Sequence, residues 1–269
     1  NVFPGVDLVG LADINQQTKS IADEYSTKFF TDYKVMIEET RPDAVSVVVP
    51  TPLHFDITQF VISQGIHCIV EKPITSTVEQ ADALINLAKR KKVVLTVGHI
   101  EHYNPVVLKL KELIDSDLLG EVTAIVAKRV GGFPRVEPKT DVILDLAIHD
   151  IGVINFLLGR NPIGLYSHGS KTYHSKEVDS AEIMMDYGTA SGFIQANWIT
   201  PVKVRTVSVT GSKGYVTANY ITQELEYYKQ NMKKVGDDFY DFVTIMGEPE
   251  KEIINVDFQE PLAVELQAF

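Results

Sequence analysis

The sequence predicts an α/β protein in which a doubly wound parallel sheet is followed by an α+β domain with a large, mostly antiparallel sheet. Three observations lead to this fold class. Strand and helix patterns alternate through residues 1–99. The run 43–49 is nearly continuous in apolar and β-branched residues, as in parallel strands buried on both faces. Beyond Pro162, successive strand patterns are separated by short glycine-containing turns, as in antiparallel sheets.

The first predicted domain, residues 1–99, alternates strands and helices with the right-handed crossovers of such sheets. Strands are expected at 6–13, 28–30, 43–49, 68–73 and 93–97. Helices are expected at 14–26, 33–39, 53–64 and 77–91. Asn15 is a suitable cap for the first helix, and the last helix is amphipathic. The apolar face predicted for that last helix consists of Val78, Ala81, Leu84, Ile85 and Ala88.

The second predicted domain, residues 100–269, changes the pattern. One helix is expected from Asn104 and Pro105 to about Ser116, and another from 142 to 158, closed by Gly159. Strands are expected at 121–130, 179–187, 190–199, 203–210, 215–219 and 224–228. The segment 231–261 is polar, and we expect it to form an irregular excursion on the surface.

Composition limits the classes of partner. The 269 residues are 45% hydrophobic and 23% charged, as in an ordinary soluble globular protein. No apolar run is long enough for a membrane span, no signal peptide is visible, and a net charge of −11 without a basic run argues against nucleic acid. The single cysteine, Cys68, is expected to be a buried structural thiol. We therefore expect a cytoplasmic protein with a small-molecule partner.

The ends of the chain look incomplete for this fold. A dinucleotide-binding sheet opens with a strand and a Gly-x-Gly-x-x-Gly turn, and an acidic strand end follows about 20 residues later. Asp13 has the position of that acid, so the first strand and its glycine turn have no room. That strand belongs in the middle of the sheet, and its loss would expose neighbouring edges. Residues are expected to be missing from both ends, which an intact mass equal to 269 residues would refute.

The first candidates for chemistry lie at strand ends, where open α/β sheets bind ligands. Glu71 and Lys72 follow the strand 68–73 and precede a helix, so the lysine can reach a substrate hydroxyl or a cofactor. Asp13 can accept both ribose hydroxyls of an adenosine, and no neighbouring arginine is available for a 2′-phosphate, which favours NAD. The alternatives are an ordinary surface lysine and an aspartate that caps a helix.

Asp145 and His149 form the second candidate pair. They are four residues apart in an apolar helix, which puts them on one face. A histidine can take a proton from an alcohol, and the carboxylate can orient it. The alternative is a hydrogen bond that serves structure alone. Asp150 adjoins His149 but is expected to point to another face.

A metal site is the competing interpretation of these residues. The imaginable ligands are His99, Glu101, His102, Asp145 and His149. The sequence has no His-Glu-x-x-His motif and no pair of cysteines, so we predict no metal. A Gly-x-Ser-x-Gly nucleophile motif is also absent.

Several of these motifs together resemble the family of glucose–fructose oxidoreductase, inositol dehydrogenase and MocA. They are Pro50-Thr51-Pro52-Leu53-His54, Glu71-Lys72-Pro73, Val97-Gly98-His99 and Asp145-Leu146-Ala147-Ile148-His149. The resemblance covers nearly the whole chain. It implies an N-terminal Rossmann domain, a C-terminal domain with a large antiparallel sheet, and a homodimer or homotetramer formed through that sheet.

The resemblance also implies roles for individual residues. Lys72 would stabilise the developing alkoxide, His149 would be the general base, and Asp145 would bind substrate and tune the histidine. NAD would be contacted by Thr51, Pro52, His54, Glu71 and Lys72, with Asp13 at the ribose. Tyr103, Asn104 and Arg129 are weaker candidates for substrate contact.

A narrower resemblance is to UDP-N-acetylglucosamine 3-dehydrogenase-like members of the family. The residues that carry this narrower resemblance are 98–105, 129–131, 142–150 and 197–201. His102-Tyr103 replaces the Arg-Phe of many relatives, so the substrate stays open. The expected reaction is oxidation of the C3 hydroxyl of a UDP-N-acetylhexosamine. The alternatives are a dehydrogenase of a free polyol such as an inositol, a non-catalytic sensor of the same fold, and a paralogue that has lost cofactor binding.

Overall fold

The computed structural model describes residues 3–134, 140–173, 176–235, 243–246 and 249–269. The chain divides into two compact units, one of residues 1–98 with 267–269 and the other of residues 99–266. The first unit is α/β with parallel sheets, and the second carries a mostly antiparallel sheet of eight strands, as the sequence predicts.

The first unit contains two parallel sheets. Its strands are β1 (Gly10–Ala12), β2 (Lys28–Phe30), β3 (Ala44–Val47), β4 (His67–Glu71) and β5 (Leu95–Gly98). Its helices are α1 (Lys19–Glu24), α2 (Tyr33–Thr40), α3 (His54–Ser63) and α4 (Val78–Lys91). β1 pairs with β2, and β3, β4 and β5 form the other sheet in that order.

β4 is the central strand of the three-stranded sheet. Its residues Cys68, Ile69 and Val70 are at most 5% exposed, because helices α3 and α4 cover this part of the chain with Ile62 and Leu84. Burial raises the pKa of the Cys68 thiol to about 12, which keeps it protonated and unreactive. Cys68 is therefore the structural thiol that the sequence predicts.

Helix starts in this unit follow the predicted caps with small differences. The side chain of Asn15 accepts a hydrogen bond from the N–H of Gln17, but the first turn is a 3₁₀ segment, Gln16–Thr18, before α1 begins. Thr77 caps α4 by accepting from the N–H of Gln80 at 3.3 Å. The predicted apolar face of α4 is wrong at two positions: Val78, which is 72% exposed because it is the first residue of the helix, and Ile85, which is 38% exposed.

The two sheets leave strand edges unpaired. Among the described residues, β1 pairs only with β2, and β3 pairs only with β4. Apolar residues before β1 and after β3 are exposed, among them Val6, Leu8 and Val48. Unpaired edges of this kind offer free backbone N–H and C=O groups to a further strand.

The second unit is built on one large sheet. Its strands are β6 (Val122–Val130), β7 (Gly164–Ser170), β8 (Ser180–Asp186), β9 (Ser191–Asn197), β10 (Val204–Gly211), β11 (Gly214–Asn219), β12 (Glu224–Lys229), β13 (Met232–Val235), β14 (Val243–Met246) and β15 (Glu250–Ile254). The order in the sheet is β15-β12-β11-β10-β6-β9-β8-β7. Every pair is antiparallel except β6 and β9.

Two helices cover one face of this sheet. They are α5 (Pro105–Asp115) and α6 (Ile148–Leu158), and α7 (Pro261–Ala268) closes the chain. Leu110, Ile154 and Leu157 of these helices are buried with the inward residues of the strands. On the other face Val126, Met184 and Phe193 are 40–45% exposed. None of the described helices is long and apolar enough to cross a membrane.

The prediction of an irregular segment at 231–261 is wrong at β13, β14 and β15, whereas residues 255–260 form neither helix nor strand. β13 pairs with β14, and β15 extends the large sheet beside β12. β15 carries Glu250, Lys251 and Glu252, which are exposed as expected of an edge strand. Its strand character comes from pairing with β12, which composition does not reveal. Residues 236–242 and 247–248 of the segment lie outside the described residues.

Candidate active site

The predicted cofactor residues of the first unit follow neighbouring parallel strands. Thr51 and Pro52 begin the 3₁₀ turn after β3, and Glu71 ends β4, with Lys72 next to it. Because β3 and β4 are parallel neighbours, their carboxyl ends lie at one edge of the sheet. Glu71 and Lys72 are half-buried there. The structure thus brings together these predicted residues of the first unit.

The Glu71 carboxylate lies over Gly98 of the adjacent strand. The two residues are partners in the register of β4 and β5. A Cβ atom built on Gly98 would be 3.2 Å from the carboxylate carbon and from both of its oxygens. The N–H of Lys72 donates to Oε2 of Glu71 at 3.2 Å. Gly98 therefore makes room for the carboxylate, a role that the sequence analysis did not identify.

His54 holds the two loops of this edge together. Its ring is 1% exposed, with Nδ1 2.7 Å from the carbonyl oxygen of Pro73 and Nε2 2.8 Å from that of Val49. One contact reaches the loop after β4 and the other the end of the β3 segment. The sequence analysis predicts an NAD contact for His54, whereas the structure places both ring nitrogens on backbone carbonyls. Its role in the structure is to support the loops.

Asp13 follows β1 and caps the next turn. Its Oδ1 accepts from the N–H of Asn15 at 2.8 Å, and its Oδ2 accepts from the hydroxyl of Thr18 at 3.0 Å. The capping role that the sequence analysis gives as the alternative is therefore present. Each carboxylate oxygen can accept a further hydrogen bond, so the half-buried Asp13 still fits the ribose of a dinucleotide.

The predicted pair of the second unit lies on a distorted helix. Asp145 belongs to a π-helical turn, Ile143–Ala147, and His149 to the first turn of α6. The N–H of Ile148 donates to the carbonyl of Ile143, the i to i−5 bond of a π turn. A continuous α-helix was predicted here, and no residue in the stretch signals the wider turn. Both Asp145 and His149 are half-buried, and π turns are frequent at functional sites.

Asp141 fixes the start of this turn. Its Oδ1 accepts from the N–H groups of Ile143 and Leu144 at 3.0 and 2.9 Å. Its carbonyl accepts from the N–H of Asp145 at 3.0 Å. The backbone that carries Asp145 is therefore held by one carboxylate and one carbonyl of the same residue.

A buried ion-pair network lies beneath the helix that carries His149. Arg129 donates from Nε and Nη2 to Asp150 at 2.7 and 3.1 Å, and from Nη1 to Glu101 at 2.7 Å. The hydroxyl of Tyr220 donates to Asp150 at 3.2 Å. Asp150 is fully buried, whereas the adjacent His149 is half-buried.

The charges of this network stabilise one another. Burial lowers the pKa of Arg129, but the charges of Asp150 and Glu101 outweigh burial and raise it above its ordinary value. Burial also raises the pKa of the Asp150 carboxyl, and the guanidinium opposes this change. The two short hydrogen bonds of a planar guanidinium to one carboxylate favour the charged pair. Burial likewise raises the pKa of Tyr220, which keeps its hydroxyl a donor.

Two predicted substrate residues belong to this network. Arg129 is 5% exposed and Asn104 is 2% exposed. Asn104 donates from Nδ2 to Glu101 and to the carbonyl of Tyr220, both at 3.2 Å, and its Oδ1 caps α5. Both side chains are therefore held by buried partners, while Tyr103 is half-buried.

His102 lies in a stack of rings. Its ring centroid is 5.2 Å from that of His99 and 5.2 Å from that of Phe156, with interplanar angles of 22° and 19°. A Cβ atom on Gly152 would be 2.9 Å from Nε2 of His102, so this contact requires glycine. Burial lowers the pKa of His102. Among the described residues, no group of three or more His, Cys, Asp or Glu side chains is arranged to hold a metal.

Comparisons with known proteins give one consistent result. The model of an oxidoreductase family with an NAD-binding Rossmann fold, GFO_IDH_MocA, matches residues 1–99. The model of the GFO/IDH/MocA C-terminal domain matches residues 107–217. Together the two matches cover most of the chain.

Two individual relatives share most of this chain's length. UDP-N-acetylglucosamine 3-dehydrogenase of Acidithiobacillus ferrooxidans is 27% identical over 266 residues, which are 97% of this chain and 80% of that protein. Its solved structure superimposes with a TM-score of 0.83 at 25% identity, covering 97% of this chain and 79% of that chain. The NAD-dependent scyllo-inositol 2-dehydrogenase of Bacillus subtilis is 25% identical over 225 residues, 78% of this chain and 66% of that protein.

Proposed function

Because the chain belongs to the GFO/IDH/MocA family of NAD-binding oxidoreductases, we propose that it oxidises the C3 hydroxyl of UDP-N-acetylglucosamine or a related nucleotide sugar. The family and the relatives make the chain an NAD-dependent oxidoreductase that acts on the alcohol groups of sugars. The observation that carries the finer assignment is the likeness to a UDP-N-acetylglucosamine 3-dehydrogenase over 97% of this chain.

Oxidation of a secondary alcohol removes a proton from oxygen and a hydride from carbon. A ring nitrogen of His149 takes the hydroxyl proton as the general base. Asp145 orients substrate and stabilises the histidine once it is protonated. Lys72 donates a hydrogen bond to the oxygen as negative charge develops on it. NAD, when bound, supplies the carbon that accepts the hydride.

The first unit has residues that fit this cofactor. Asp13 holds free acceptor capacity at the end of β1 for the ribose hydroxyls. Thr51, Pro52 and Glu71 follow the neighbouring strands β3 and β4 and would contact the dinucleotide. His54 would act indirectly, because its ring fixes the two loops that carry these residues.

The partners proposed for this chain are small molecules and further copies of itself. The face of the large sheet that α5 and α6 do not cover exposes Val126, Met184 and Phe193. We place the interface of a homodimer or homotetramer on this face. The cytoplasmic location expected from composition is part of the same proposal.

A second candidate function is oxidation of a free polyol such as an inositol. Its support is the 25% identity to a scyllo-inositol 2-dehydrogenase, whose chemistry needs the same base and the same stabilisation of the alkoxide. The presence of Lys72, Asp145 and His149 argues against a non-catalytic sensor, because binding alone requires no general base.

One assay separates these functions. The absorbance of reduced nicotinamide is followed after NAD is added with either UDP-N-acetylglucosamine or myo-inositol. A signal with the nucleotide sugar alone supports the proposal, and a signal with inositol alone replaces it with the second candidate. When neither substrate gives a signal, an NAD titration decides: binding contradicts both substrates, and no binding contradicts the cofactor assignment. His149→Ala serves as the variant in which the signal should be lost.

A further inference from the structure

A cavity of about 190 Å³ in the second unit is rich in positive charge. Its lining includes Glu101, Arg129, Lys203, Arg205 and Tyr220. Two of these residues, Glu101 and Arg129, are hydrogen-bonded to each other within the buried network. Lys203 and Arg205 form no ion pair of that network.

Arg205 lies directly opposite Arg129 in the sheet. The two residues are partners in the antiparallel register of β10 and β6, so both side chains project from the same face. Like charges at such positions repel each other and are destabilising. For Arg129 this repulsion is offset by two carboxylates, those of Asp150 and Glu101.

Arg205 has no carboxylate partner of its own among the residues that the structure describes. Its Nη1 donates to the carbonyl oxygens of Val130 and Val204 at 2.6 and 2.9 Å. These bonds orient the guanidinium without neutralising it. Lys203 is exposed at the same cavity, and it too forms no ion pair within the described ranges. The cavity therefore presents two cations that form no ion pair with a carboxylate of the described residues.

The surroundings of Arg205 disfavour its charge in the absence of an anion. Burial and the neighbouring Arg129 lower the pKa of Arg205, whereas Asp150, Glu101 and Asp145 act in the opposite direction. Arginine nevertheless stays charged at neutral pH, so this cost persists in the folded protein.

We propose that Lys203 and Arg205 form an anion subsite that binds the diphosphate of the nucleotide-sugar substrate. The proposal rests on the function proposed above and adds the residues that select a nucleotide sugar over an uncharged polyol. A planar guanidinium can donate two parallel hydrogen bonds to phosphate oxygens, and an ammonium adds a compact second charge. The backbone carbonyls that already orient Arg205 make the subsite preorganised.

Binding of UDP tests the subsite without catalysis. UDP is titrated by calorimetry into the wild-type protein and into Lys203→Gln, Arg205→Gln and Arg205→Lys. We expect Arg205→Gln to weaken UDP binding by about 10- to 100-fold, since a charged hydrogen bond is lost, and Arg205→Lys to retain part of it. Lys213→Gln is the matched control. Lys213 lies between β10 and β11, pairs with Asp117 on the surface and is not among the lining residues of the cavity.

Further probes separate the phosphates from the nucleoside. Inorganic pyrophosphate should compete with UDP in the wild-type protein, and uridine should compete poorly. Raising the salt concentration should weaken UDP binding through screening. Unchanged NAD affinity and a single cooperative transition in thermal unfolding of the variants separate a lost subsite from a lost fold.

Failure of the subsite and failure of the proposed function give different results. If UDP-N-acetylglucosamine is oxidised but UDP binds equally to wild type and Arg205→Gln, the subsite is overturned and the function stands. If UDP binding depends on Arg205 but the nucleotide sugar is not oxidised, the subsite stands and the function fails. Absence of any UDP or pyrophosphate binding to the wild-type protein also overturns the subsite.

Discussion

Arg129 donates two hydrogen bonds to Asp150, from Nε at 2.7 Å and from Nη2 at 3.1 Å, with both side chains almost completely removed from solvent. This pair joins the strand β6 to the helix α6. Asp150 directly follows His149, so the pair fixes the helix turn that carries the proposed base.

Removal of one charge of this pair should be costly. Asp150→Asn leaves the Arg129 guanidinium buried with only Glu101 as a charged partner, and we expect a loss of about 3–5 kcal/mol in the free energy of unfolding. Urea denaturation measures this loss. Glu112→Gln, at an exposed surface pair with Lys109, should change it by less than about 1 kcal/mol. If Asp150→Asn does not fold, Glu101→Gln provides the milder variant, and equal stability of that variant and the wild type would contradict the network's role.

Lys72 should matter for turnover far more than for cofactor binding. Lys72→Ala removes the hydrogen bond to the developing alkoxide, and we expect turnover to fall by roughly 10²- to 10³-fold. NAD affinity, measured by fluorescence titration, should change little by comparison. Lys109→Ala is a control on the surface of the second unit. Unchanged turnover in Lys72→Ala would remove the role assigned to this lysine.

Glu71 and Gly98 should behave as a coupled pair. In Gly98→Ala the new Cβ atom would be 3.2 Å from the Glu71 carboxylate, which must move by a few tenths of an ångström. We expect NAD to bind more weakly to this variant, but no additional effect of the alanine when Glu71→Ala is already present. A double-mutant cycle on the NAD dissociation constant should give a coupling free energy of about 0.5–3 kcal/mol. Gly132→Ala, where a Cβ meets nothing within 4 Å, is the control, and additive effects would contradict the coupling.

His102 should make stability depend on pH. Burial lowers its pKa in the folded protein, so below the ordinary histidine pKa the unfolded chain binds a proton more readily than the folded one. The free energy of unfolding should therefore fall as pH decreases from about 6.5. His102→Phe should flatten this part of the curve of unfolding free energy against pH, measured in urea. His168→Gln, at an exposed position, should not, and identical curves for His102→Phe and wild type would refute the assignment.

Much of the fold was predictable because local patterns and tertiary structure agree. The apolar strand around Cys68 lies at the centre of its sheet, and Asn104 with Pro105 starts α5 as expected. β15 was missed because its strand character depends on pairing with β12, a contact between distant parts of the chain. Intrinsic strand propensity is weak in such a charged segment.

For the candidate residues, the position on a strand or helix was predictable, but several of their contacts were not. Lys72 and Glu71 lie at the strand end that their pattern indicates. Arg129 and Asn104 are buried, which the sequence analysis did not predict. The partners that hold them, Asp150 and Tyr220, are far away in sequence. Nothing in a linear pattern shows that these side chains converge.

The π turn at Ile143–Ala147 has a consequence for how this helix tolerates change in length. Such a turn accommodates one residue more than an α-helical turn. Deleting one residue between Asp145 and His149 would allow a regular α-helix and would reduce their spacing from four residues to three. The direction of Asp145 relative to His149 thus depends on the number of residues between them in the helix. Such a deletion would therefore change the direction of Asp145 relative to His149, although both residues remain in the chain.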